Sequence, residues 1–130
     1  LKSLFLNTSN SEENSFNNYE NVGKWINKNT NINSSIGCIE VGTIGYFSNR
    51  KIIDFCGLVT PLTAKYLANN DTYSWILTYK PDYVFTHSPI WENMENVVNT
   101  DFFKKNYIID ERFPYDKFLL YKRKYSYWIN

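Results

Sequence analysis

Histidine, cysteine and methionine are scarce in this chain: one, two and one among 130 residues. One histidine and two cysteines do not make a metal-ligand set, so neither a metal nor a cofactor is expected. Charge of one sign is also missing. The formal net charge is +1, which leaves no basic excess to draw nucleic acid or an anionic membrane surface. No apolar run approaches the roughly 18 residues a membrane helix needs, and no signal-peptide pattern is visible. There is no G-x-S-x-G elbow and no complete G-x-G-x-x-G fingerprint, so neither a serine hydrolase nor a dinucleotide site is expected. The chain opens on Leu1 rather than methionine, so it is expected to be a piece of a longer protein.

Apolar side chains make up 43% and aromatics 18%. That is enough for a core and excludes global disorder, and the length suits one domain. Residues 1–15 are Ser/Asn-rich and read as a linker. Residues 16–123 read as a single domain, and 124–130 as a tail. Tyr19, Val22, Trp25 and Ile26 fall at helical spacing over 16–29, behind Ser15 as N-cap. Strands are expected at 36–40, 51–55 and 83–86. Residues 107–113 and 118–122 read as a hairpin around Pro114. Helices are expected at 61–69, 72–80 and 93–106, with Thr60 and Pro61 starting the first of them. Residues 42–48 are too glycine-rich for a regular strand and read as a turn or one helical turn. This order predicts an α/β domain. Its architecture would be a three-layer sandwich with a mainly parallel, Rossmann-like sheet and a C-terminal antiparallel hairpin.

Polar residues gather where the three expected parallel strands end: Glu40, Asp54 and the pair His87-Ser88. Such ends share one sheet edge, where α/β folds place ligands. Carboxylates there can transfer protons or hold sugar hydroxyls, or they can simply bind loop N–H groups. Gly42, Gly45 and Tyr46 lie on the connection after Glu40. Trp91 follows Pro89 in a loop and suits contact with the apolar face of a sugar ring. These eight residues are the candidate binding set. His87 lacks a nucleophile and an orienting acid in sequence, so a structural role is favoured and no catalytic residue is expected. Cys38 and Cys56 fall in neighbouring strands. A disulfide between them is conceivable, but buried thiols fit better.

The segment Glu40-Val41-Gly42-Thr43-Ile44-Gly45-Tyr46-Phe47-Ser48 continues through Arg50, Ile52-Ile53-Asp54 and Gly57-Leu58-Val59 to Pro61. With the helix before it, the Tyr79 to Val84 element and the closing strand Phe118 to Arg123, it carries a resemblance. The pattern resembles the soluble C-terminal domain of polytopic membrane glycosyltransferases of the dolichyl-phosphate-mannose mannosyltransferase type, with GT-C architecture. The resemblance covers residues 19–123. It implies a domain on the extracytoplasmic face of the cell membrane, with the transmembrane portion of the same polypeptide as its partner. It implies a glycan or polyprenyl-phosphate sugar as ligand, and a catalytic acid elsewhere in the parent enzyme. The role expected is therefore non-catalytic: assisting substrate binding or stabilising the membrane part. Two other readings stay open. One is a free-standing small hydrolase or transferase using the carboxylate–histidine edge. The other is a structural or partner-binding module.

Overall fold

The computed structural model describes residues 18–55 and 61–130. The linker at 1–15, Ser15, Cys56, Gly57 and Thr60 lie outside the described residues. Helix α1 spans 18–29, with Val22 and Ile26 fully buried one turn apart. Next come β1 (Ser35–Cys38), α2 (Val41–Ser48), β2 (Lys51–Asp54), α3 (Pro61–Ala68), α4 (Ser74–Tyr79) and β3 (Tyr83–His87). A 3-10 turn (Asn96–Asn99), α5 (Asp101–Asn106), β4 (Tyr107–Ile109) and β5 (Phe118–Arg123) complete the chain.

The five strands form one sheet in the order β2-β1-β3-β5-β4. Strand β1 pairs parallel with β2 and β3, whereas β5 runs antiparallel to both β3 and β4. The longest ladder is antiparallel, from Tyr83 opposite Lys122 to His87 opposite Phe118. The expected three-layer, mainly parallel, Rossmann-like sandwich is therefore wrong. The sheet is mixed, and among the described residues the helices packed on one of its faces are short pieces of four to eight residues. The reason is placement. The hairpin lies with β5 inside and β4 at the edge, so β5 buries Phe118 and Leu120 while β4 exposes Ile108 and Ile109. Strand patterns show which residues are buried, not the direction of the neighbour.

Two apolar clusters sit on opposite faces, as the alternation of β3 requires. Val84 joins Trp75, Ile76, Phe55, Val97 and Phe103. Its neighbour Phe85 joins Val22, Ile26, Ile36, Ile44 and Leu120. Trp75 stacks on Phe55, with centroids 4.4 Å apart, and lies directly on Gly37, where an added Cβ would meet the indole at 2.8 Å. A side chain at that point in β1 would force the two layers apart.

Two local expectations are also corrected. Residues 42–48 belong to helix α2, which at eight residues is longer than the turn or single helical turn expected, with Ile44 and Ser48 buried one turn apart. The helix stops at Asn49, which takes the left-handed conformation (φ 50°) and donates its N–H to the Gly45 carbonyl. The helix expected at 93–106 is broken. Thr100 is extended (ψ 152°), and its hydroxyl accepts the Phe103 N–H, so it caps a new helix instead of continuing an old one.

Candidate functional site

Glu40 follows β1, His87 ends β3, and β1 and β3 are parallel neighbours. Both residues reach the same sheet edge, where Tyr19 from the first turn of α1 meets them. The Tyr19 hydroxyl lies 2.9 Å from His87 Nε2 and 3.4 Å from Glu40 Oε1. Glu40 Oε1 is 4.0 Å from the same ring nitrogen. On the other side of the ring, Nδ1 is 3.2 Å from both oxygens of Glu95. Glu95 is fully buried. It also accepts the backbone N–H groups of His87 (3.2 Å) and Trp91 (2.8 Å).

The Trp91 indole covers one face of the imidazole, with centroids 3.6 Å apart and planes within 7°. The Ser88-Pro89 bond between them is cis, and Ser88 donates its N–H to the Lys117 carbonyl beside β5. The result is a chain: Glu95, His87, Tyr19, Glu40. Donor counting allows two proton arrangements. A neutral imidazole donates from Nδ1 to Glu95 and accepts the Tyr19 proton at Nε2. A charged one donates from both nitrogens, and Tyr19 then donates to Glu40. Burial, with the Glu40 charge next in weight, pushes the Tyr19 hydroxyl up to about 12.

A cavity of about 360 Å³ opens beside this chain. Its lining includes Asn18, Tyr19, His87, Ser88, Trp91 and Lys117. Of the eight expected residues, Glu40, His87, Ser88 and Trp91 therefore come together. Asp54 ends β2 at the same edge and is fully buried, but it joins none of the hydrogen bonds just described. Gly42 and Gly45 lie on α2. Gly45 faces Ile52 of β2, and Gly42 faces open space. Tyr46 is 80% exposed and packs edge-on against Phe47.

Two members of the chain escaped the sequence reading. Tyr19 looked like part of an apolar helix stripe. Glu95 looked like the polar face of a long helix that is in fact broken. An acid a few residues beyond a Pro-containing loop was the only signal for Glu95.

Among the described residues no group of three or more His, Cys, Asp or Glu side chains is placed to hold a metal. No described helix is long and apolar enough to cross a membrane. Residues 8–129 match the family described as Domain of unknown function (DUF8728), and the chain belongs to that family. No curated protein and no solved structure matches it.

Proposed function

We propose that this chain is a non-catalytic extracytoplasmic domain of a membrane glycosyltransferase of the dolichyl-phosphate-mannose mannosyltransferase type. Its role is to assist binding of a glycan or lipid-linked sugar at the His87 edge. One observation carries the reading. The acid that opens the family-like segment, Glu40, is not spent on capping α2, since its side chain makes no cap bond. It instead joins Tyr19 and His87 at the carboxyl ends of β1 and β3, the edge where such sheets hold ligands.

A catalytic role for His87 finds less support. The residue is 6% exposed. Glu95 holds one ring nitrogen, Tyr19 meets the other, and Trp91 covers a face. A general base must reach the proton it takes, and this imidazole is enclosed by its own partners. The same enclosure favours the second reading, in which the chain of side chains only fixes the loop and the domain stabilises the membrane part.

The gene upstream of Leu1 tests the proposal. Several apolar stretches of about 20 residues are expected there. A start codon within a few residues of Leu1 would overturn it.

A further inference from the structure

We propose that the sheet edge where β1, β2 and β3 begin docks on an anionic lipid surface. Exposed lysines supply the attraction, and Ile32, Tyr125 and Tyr127 enter the headgroup layer. This goes beyond the function proposed above and does not depend on it. The net charge of +1 hides a segregation that only the topology creates.

Strands β1 to β4 all begin at this edge, and β5 ends there. Arg50 and Lys51 enter β2, Lys80 precedes β3, and Lys104 and Lys105 precede β4. The Lys-Arg-Lys run at 122–124 closes β5. Lys28 belongs to the same edge, because Arg50 Nη2 donates to the carbonyls of Asn27 and Thr30 at the end of α1, at 2.8 and 2.9 Å. Nine of the chain's 14 Lys and Arg residues thus gather at one edge. Among the described acids only Asp82 joins them, and it is already paired with Arg123 at 3.0 Å. Seven others follow the far ends of β1 to β4 or precede β5. Glu20, Asp71 and Asp101 lie near the starts of helices whose far ends reach the basic edge.

Part of this charge serves the fold. Helix ends attract cations without any ligand. Arg50 donates to main-chain carbonyls, Arg123 to the Lys80 carbonyl and Asp82, and Lys124 to the Lys104 carbonyl. Lys28, Lys51, Lys104 and Lys105 serve no such purpose. They are exposed, and their ammonium groups make no hydrogen bond or ion pair among the described residues. Hydrated ammonium groups on flexible stems suit a diffuse negative surface better than a fixed bidentate site. Apolar side chains stand among them. Ile32 is 71% exposed in the α1–β1 turn, which Asn31 fixes by accepting the N–H groups of Asn33 and Ser34. Tyr125 and Tyr127 stack with centroids 5.2 Å apart and are 44% and 63% exposed. Buried Asn106 clamps their loop at both ends. Its carbonyl accepts the Lys124 N–H, and its side chain exchanges two 2.7 Å hydrogen bonds with the Ile129 backbone. An isoleucine and two tyrosines held outward amid lysines match a bilayer interface, where aromatic rings and ammonium groups both settle at headgroup depth. A nucleic acid offers the charge but nothing to take up Ile32. The cavity beside His87, at the other end of β3, then faces water.

The test is co-sedimentation of this chain with two kinds of vesicle. One is phosphatidylcholine alone, and the other carries about 30% phosphatidylserine. Saturable binding is expected with the anionic vesicles only, and its loss at about 1 M salt, where charges are screened beyond roughly 3 Å. Lys104→Gln together with Lys105→Gln should weaken partitioning by about tenfold or more, and Ile32→Ser by about fivefold. Lys24→Gln together with Lys65→Gln removes the same charge away from this edge and should leave partitioning within about twofold. All of these positions are exposed, so each variant should melt with the parent. Equal binding to both vesicles, or to neither, overturns the docking edge. So does an equal loss in the two double-lysine variants, which would assign the attraction to net charge, and so does parent-like binding by Ile32→Ser. Tighter binding to an oligonucleotide of about 20 residues than to anionic vesicles at the same salt overturns it in favour of a nucleic-acid surface. Membrane stretches upstream of Leu1 bear only on the function proposed above, so the two can fail separately.

Discussion

Glu95 and Asp110 are buried to the same degree, 0% and 1% exposed, and they do different work. Asp110 follows β4 and finds its partner two residues on. Arg112 Nε and Nη2 lie 3.0 and 2.7 Å from its two oxygens, and the Arg112 backbone N–H donates as well. The guanidinium hydrogen bonds hold this carboxyl below the usual range despite burial. The interaction is local, and it seals the turn into the β4–β5 connection. Among the described residues Glu95 has no permanent cation beside it. Its partners are the backbone N–H groups of residues 87 and 91 and an imidazole. One acid closes a turn; the other ties a loop back to a strand end and orients the two rings beside the cavity. Equal burial therefore says little about consequence, and the sequence distance to the partners says more.

The sharpest way to break this comparison is Glu95→Ala. It leaves a buried N–H (His87), a partly buried N–H (Trp91) and the imidazole without their acceptor, and a loss of about 3–5 kcal/mol is expected in denaturant unfolding. Trp91 fluorescence should also move toward that of a solvated indole. A loss below about 1 kcal/mol with unchanged emission would put Glu95 on a par with an ordinary surface acid. Asp110→Ala should come second, at about 1.5–3 kcal/mol for hydrogen bonds to a charged group, with Trp91 emission unaltered. If the emission changes as much as for Glu95→Ala, the two acids are not independent.

The pH dependence separates them further. The folded carboxyl of Asp110 titrates below its unfolded value. Its stabilisation is thus present above the unfolded value and lost as pH falls through the folded one. Asp110→Asn should flatten the acid limb of a melting-temperature profile. Tyr19 shifts the other way, from 10.0 to about 12. Its contribution is present below pH 10 and disappears as pH climbs from 10 toward 12. Tyr19→Phe should shrink that alkaline limb, to which the hydroxyls of Tyr107, Tyr115 and Tyr121, raised by burial, also contribute, and cost about 1 kcal/mol at neutral pH, one hydrogen bond's worth. An alkaline limb unchanged by Tyr19→Phe would assign it to another group. The smallest effect belongs to Tyr46→Ala, expected within about 0.5 kcal/mol because the ring is 80% exposed. Loss of sugar binding in that variant would restore Tyr46 to the site from which the fold separates it.

Legibility followed the range of the forces involved. The α1 stripe, the apolar strands and the polar ends of β1 and β3 could be read because periodicity and burial leave a local mark. Glu40, His87 and Trp91 were found by their positions just beyond strands or prolines. Tyr19 and Glu95 were not, because their neighbours in space lie 68 and 8 residues away in sequence and nothing in their local pattern differs from a helix face. The glycine segment at 42–48 was read by propensity, whereas contact with β2 made it a helix.

By itself, then, the sequence determined which segments are apolar enough to be strands and where polar residues interrupt them. The place of β5 between β3 and β4, the break at Thr100 and the Glu95–His87–Tyr19–Glu40 chain were decided only by the tertiary structure. The physical reason is common to all three. Hydrophobic patterning is a property of a few neighbouring residues. Strand pairing and the satisfaction of a buried carboxylate depend on groups that meet only after the chain has closed its loops.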